Sequence, residues 1–113
     1  MKRVIIESPF RGETARICER NERYLRACLR DSLLRGEAPY ASHAIYTLPG
    51  VLEDQQPSER ELGITAGFMW RPAAELTVVY DDYGITEGMR RGIAHAKDLG
   101  QAIEVRRIWE KRA

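Results

Sequence analysis

Two runs of apolar, mostly β-branched residues constrain this chain more than any other feature: Val4, Ile5 and Ile6 near one end, and Leu76, Thr77, Val78, Val79 and Tyr80 further on. Neither alternates with charged residues. A strand with one wet face would alternate, so both runs belong in strands covered on both faces, as in a parallel sheet clothed by helices. Each run leads into a polar, glycine-containing loop and then into a segment of helical periodicity.

The rest of the chain falls into place around these runs. Residues 3–7 form a first strand, broken by Pro9 and Gly12. Residues 13–35 read as a long helix with Cys18, Leu25 and Leu29 in one stripe, Ile17, Tyr24 and Cys28 beside it, and charge on the rest. Gly36 stops it. Residues 38–41 suit a short second strand. Pro57 opens another helix, with Ser58 and Glu61 at capping-box spacing, and Pro72 marks its end. Residues 75–80 are the clearest strand. Thr86 caps a helix running to about Leu99, with Ile85, Met89, Ile93 and Ala96 on its inner face, and residues 102–108 are the last strand. Strands alternating with helices predict an α/β fold: one small three-layer, Rossmann-like domain over residues 1–113, with a parallel sheet of about four strands.

Composition excludes several alternatives. The chain has 113 residues, 43% of them hydrophobic and 31% charged, which is too apolar for disorder. Its 18 basic and 17 acidic residues give a net charge of +1, so no global basic field holds a nucleic acid. Lys2 and Arg3 at one end, and Arg106, Arg107, Lys111 and Arg112 at the other, read as solvated charges. No apolar run approaches the ~20 residues that span a bilayer. The apolar stretch after Lys2 and Arg3 is too short for a signal peptide, so the expected location is the cytoplasm. Cys18 and Cys28 lie about 15 Å apart along one helix, too far to bridge, and read as small apolar core residues. No zinc-type spacing, no glycine-rich dinucleotide motif and no P-loop motif is present, so neither a metal nor a cofactor is expected.

Ligands of open parallel sheets bind outside the carboxyl ends of the strands. Three polar loops sit there. The first is Glu7, Ser8, Pro9, Phe10, Arg11 and Gly12, where Glu7 can accept from sugar hydroxyls and Arg11 can hold an anion at the start of a helix. The second contains Ser42, His43 and Tyr46. It lacks the G-x-S-x-G pattern of a serine hydrolase. The third runs through Asp81, Asp82, Tyr83, Gly84, Glu87, Gly88 and Met89. Carboxylates crowded at one pocket raise each other's pKa and suit acid–base work. Asp81, Asp82, Glu87 and Glu7 are therefore the candidate catalytic groups, and the other loop residues named are the candidate ligand contacts. The plainer alternative is that Asp82 faces solvent and Glu87 only complements the helix dipole. His95, between two alanines in mid-helix, is expected to face solvent.

These loops carry a resemblance. Ile5 to Phe10 resembles the strand–small residue–Pro–Phe opening of the nucleoside 2-deoxyribosyltransferase and nucleotide N-glycosidase superfamily. Tyr80 through Gly100 is similar to its acidic strand exit and the Ala-x-x-x-Gly helix ending, here Ala96 to Gly100. The segment from Ser42 and His43 to Glu59–Gly63 resembles an uncharacterised bacterial and phage subgroup. The resemblance implies a pocket for a nucleoside or nucleotide and cleavage or transfer at the glycosidic bond. In that family a glutamate on the last helix attacks the anomeric carbon; the matching position here is Gly92, and a family tyrosine falls at Ile5. Glu87 or Glu7 would have to substitute, or the chain would bind a nucleotide without cleaving it. The resemblance also implies homo-oligomers, to which Phe68, Met69 and Trp70 would contribute unless they belong to the monomer core. A small-molecule ligand, no membrane and no strong nucleic-acid signal complete the expectation.

Overall fold

The apolar runs pair as parallel strands. A computed structural model describes residues 1–109; Lys111 and Arg112 lie outside the described residues. The elements follow in the order β1 (Arg3–Glu7), α1 (Ala15–Leu34), β2 (Ala38–Tyr40), α2 (Ser42–Ile45), α3 (Pro57–Phe68), a 3-10 turn (Arg71–Ala73), β3 (Leu76–Tyr80), α4 (Glu87–Asp98) and β4 (Ala102–Arg106). The sheet order is β2-β1-β3-β4, with every pairing parallel. The chain is an α/β fold with a four-stranded parallel sheet between helices.

Side chains alternate across a strand, and here that parity assigns the two faces. Val4, Ile6, Val78 and Tyr80 pack with Tyr24, Leu25 and Cys28 of α1 in one apolar cluster. Each such aliphatic side chain contributes about 1.5–3 kcal/mol by leaving water. Ile5, Glu7, Thr77 and Val79 point the other way, toward α4 and the 3-10 turn. There Met89 and Ala96 of α4 are buried, and so is Arg71.

Several local expectations change. Helix α1 starts at a cap, Thr14, whose side chain accepts from the Ile17 amide. Its buried stripe is Asn21, Tyr24, Leu25, Cys28 and Ser32, rotated from the Cys18–Leu29 line. The two polar members are satisfied: Asn21 donates to the Phe10 carbonyl at 3.2 Å and Ser32 to Glu37 at 2.8 Å. Residues 42–45 are a short helix rather than a strand exit. No capping box opens α3: Gln56 is the cap residue and makes no side-chain bond, Pro57 supplies the preset φ of the first turn, and Glu61 pairs instead with Arg91 on α4. Thr86 does cap α4, accepting from the Met89 amide. Ile85, placed on the inner face by spacing, lies outside the helix and is exposed. Cys18 and Cys28 are both free thiols. Among the described residues, no helix is long and apolar enough to cross a membrane.

Candidate functional site

The carboxyl end of β1, a central strand, opens into a cavity of about 540 Å³, within the range of small-molecule sites. Its floor is Glu7 and Ser8, its walls include Phe10, His43 and Phe68, and its rim carries Arg11, Arg60, Glu87 and Gly88. Gly12, Ser42 and Met89 also line it. Residues from the first and second predicted loops and from the start of α4 thus meet at one cavity.

Glu7 is its most constrained group. As the last residue of β1 on the α4 face, it is directed at the helix. Its Oε2 accepts from Arg71 at 2.6 Å. Arg71 is itself 2% exposed and donates in addition to Thr77 Oγ1 at 2.7 Å and to His95 Nδ1 at 3.0 Å. Burial raises the Glu7 carboxyl above the ordinary carboxylate range, and the Arg71 charge and hydrogen bond pull against it. Opposite Glu7 on α4 stands Gly92. A Cβ there would fall 2.0 Å from Glu7 Oε2 and 2.4 Å from its Cδ. The carboxylate therefore occupies the space that any side chain at position 92 would need.

Ser8 and His43 form the second feature. Ser8 Oγ lies 3.0 Å from His43 Nε2, and the Phe10 ring meets the imidazole edge-on at 5.8 Å. Burial pushes the imidazole down to about 4, so His43 is neutral at pH 7 and the pair is a neutral donor–acceptor unit facing the cavity. Helix α2 is set close to α3 because Gly67 has no side chain: a Cβ there would meet Ser42 Oγ at 2.4 Å. At the rim, Arg60 reaches α4 beside Gly88. It approaches Asp54 only at 4.0 Å, while Arg11 donates to the Asp54 carbonyl at 3.5 Å. Two guanidiniums thus stand at one side of the mouth beside the first turn of α4, with Glu13, Asp54 and Glu87 in the same lining.

The acidic exit of β3 lies elsewhere. Asp82 accepts from the Tyr24 hydroxyl and from the Ile108 and Trp109 amides, at 3.1 and 2.8 Å for the amides. These bonds hold its carboxyl below the usual range against the opposing effect of desolvation, the largest single influence. Asp81 pairs with Arg107 at 2.9 Å. Tyr83 lies against Tyr24 and under Arg20, and Gly84 takes the left-handed φ of 86° that closes the turn. None of these four lines the cavity: strand β3 ends on the side where the chain's tail returns, and the aspartates anchor that tail. Pro9 is fully buried beneath the cavity loop. Tyr46 lines a smaller neighbouring cavity of about 60 Å³ and is bonded to Tyr40 and Trp70.

Two site residues were not visible in the sequence. Arg71 precedes a proline in a segment without a periodic stripe, and nothing local marks it as buried. His95 is only partly exposed rather than free in solvent: its ring stacks on Phe68 at 4.1 Å and 5° and accepts from Arg71. Among the described residues, no group of three or more His, Cys, Asp or Glu side chains is placed to hold a metal ion.

No curated protein and no solved structure matches the chain. A family model described as Domain of unknown function (DUF7768) matches residues 2–106, which takes in every strand and helix above and the whole cavity. The chain belongs to this family of domains of unknown function.

Proposed function

We propose that the cavity binds a nucleoside or a nucleoside 5′-phosphate, and that the protein is an N-glycosidase of the deoxyribosyltransferase type whose carboxylate has moved from α4 to the tip of β1. The observation that carries this reading is the overlap between Glu7 and the space above Gly92. The resemblance calls for a glutamate at position 92; the chain has glycine there and brings a carboxylate from β1 into the same volume.

In this reading Glu7 attacks the anomeric carbon. The new C–O bond forms as the C–N bond breaks, and the base leaves with the electron pair and takes up a proton from solvent. Water then attacks the anomeric carbon, the C–O bond to Glu7 breaks, the sugar leaves with the water's hydroxyl, the carboxylate is restored and the water's other proton returns to solvent. Burial favours the neutral acid at Glu7, and the charge and hydrogen bond of Arg71 act against it in favour of the ionised form. Phe10 and Phe68 offer apolar surface to the base, the neutral Ser8–His43 pair serves a sugar hydroxyl, and Arg11 and Arg60 meet a 5′-phosphate. Glu87, exposed at the rim, is the remaining carboxylate near the ligand. The same reading expects a cytoplasmic homo-oligomer, with the exposed Met69 and Trp70 available to an interface; light scattering reads the oligomeric state.

One observation favours a second reading, a nucleotide-binding module without turnover. At 2.6 Å from a buried guanidinium, Glu7 is partly neutralised, and a paired carboxylate is a weaker nucleophile. The experiment is a thermal-shift screen against nucleosides and their mono-, di- and triphosphates, with each hit examined by chromatography for free base. A shift with base release supports the glycosidase, a shift without release supports the binding module, and no shift with any nucleotide overturns both. Arg60→Ala is expected to weaken binding of a 5′-monophosphate about tenfold while leaving the parent nucleoside unchanged.

A further inference from the structure

The hydrogen bonds of Arg71 run from the cavity floor to α4. Its guanidinium presents three nitrogens to three partners: Glu7 Oε2 at 2.6 Å, Thr77 Oγ1 at 2.7 Å and His95 Nδ1 at 3.0 Å. Gln101 completes the clamp from behind, donating to the carbonyls of Arg71 and Ala74 at 2.9 Å each. Because an arginine Nε carries a proton and has no lone pair to offer, His95 Nδ1 must be the acceptor, which places the imidazole proton on Nε2. The ring is fixed from its other side by the parallel Phe68 ring at 4.1 Å, and Phe68 is itself a wall of the cavity.

We propose that Arg71 is the positioning residue of the cavity carboxylate, and that His95 is the acceptor on which that positioning depends, so that protonation of His95 loosens Glu7 from its place. A proton on Nδ1 removes the only lone pair turned toward Arg71 Nε and sets a second positive charge beside the first. Among the described residues, the charged groups acting on His95 are Arg71 and Asp98. Arg71 lies in the 3-10 turn, Asp98 is one turn along α4, and Glu7 lies beyond Arg71 on β1. Phe68 of α3 and Thr77 of β3 are uncharged. Desolvation and then Arg71 disfavour the charged ring, and Asp98 opposes them. The link is therefore intact at pH 7 and released in acid.

The inference rests on Glu7 being the reactive carboxylate, yet its test does not need turnover. Glutamate labelled with ¹³C at the side-chain carboxyl, with Glu7 assigned by Glu7→Gln, reports the carboxylate directly across pH 4 to 8. The expected result is a second, minor inflection of the Glu7 signal coinciding with titration of the His95 Cε1 proton. His95→Gln, which keeps an acceptor but does not titrate, is expected to retain the neutral-pH Glu7 shift and lose that inflection. His95→Phe removes the acceptor and is expected to move the Glu7 signal throughout the range. Arg71→Lys keeps the charge without the fork and is expected to displace the Glu7 titration by one pH unit or more. A Glu7 signal identical in wild type and His95→Phe, or a minor inflection that survives in His95→Gln, overturns the proposal. Base release alongside either of those results leaves the glycosidase reading intact and removes the His95 link. The linked signals without base release do the reverse.

Discussion

Gly92→Ala isolates the packing of Glu7 against α4. In an ordinary helix interior the substitution stabilises by about 0.8–1 kcal/mol, since alanine loses less backbone freedom on folding. Here the new methyl would sit 2.0 Å from Glu7 Oε2, 2.4 Å from Cδ and 2.7 Å from Oε1. Every atom it meets belongs to one carboxylate, and that carboxylate is held at 2.6 Å by a buried arginine. It can give way only by leaving Arg71, and breaking a buried ion pair costs about 3–5 kcal/mol. The net expectation is a loss of about 2–4 kcal/mol, a drop in Tm of roughly 8–16 °C at this chain length. Urea unfolding with an unchanged m-value measures it. The same substitution made on Glu7→Ala meets no carboxylate and is expected to be neutral or mildly stabilising. If that background unfolds, Arg71→Met added to it removes the orphaned charge. Gly92→Ala that is neutral or stabilising in the wild-type protein, or equally costly in both backgrounds, refutes the reasoning.

Other consequences follow from the same geometry. Asp82→Asn is expected to destabilise by about 1–3 kcal/mol, because three donors lose charge-assisted bonds. Hydrogen exchange at residues 108 and 109 rises with it, while ligand response in thermal shift stays unchanged. His43 has its pKa depressed from 6.5 to about 4, so the native state favours the neutral ring. That stability is present in full above pH 6.5 and is lost as pH falls from 6.5 toward 4. It is up to about 3 kcal/mol, reduced by water in the cavity that the half-buried ring lines. His43→Gln is expected to flatten this part of the acid limb in pH-dependent unfolding. Glu7 contributes with the opposite sense: its raised pKa means stability is lost as pH rises from 4.5 through the folded value, and Glu7→Gln is expected to remove that slope.

Much of the fold was legible because it rests on local signals. Val4–Ile6 and Leu76–Tyr80 could only be covered strands, Gly36 and Gly100 stop the helices they follow, and Thr86 caps α4. Residues 42–45 were harder, since one turn of helix is decided by its packing under α3 through Gly67 and carries no periodicity of its own. The site was half legible. The rule placing ligands at carboxyl ends of strands selected Glu7, Ser8, His43 and Arg11, which meet at one cavity. The same rule selected Asp81 and Asp82, which do not, because the end of β3 is filled by the returning tail, and no feature of the tail's sequence announces the bonds it makes to Asp82. The partnership of Glu7 with Arg71 spans 64 positions and depends on strand parity. Placing Glu7 on the same face as Ile5 and Thr77 would have directed it toward Gly92, a glycine in mid-helix with no turn to explain it.

The most direct test of the account compares base release from a panel of nucleosides and 5′-monophosphates by the wild-type protein, Glu7→Gln and Glu87→Gln. The account predicts release by the wild type, a loss of at least 100-fold in Glu7→Gln with the thermal shift retained, and release within a few-fold of wild type in Glu87→Gln. Release that survives in Glu7→Gln, or is abolished only in Glu87→Gln, contradicts the claim that the carboxylate on β1 is the reactive one.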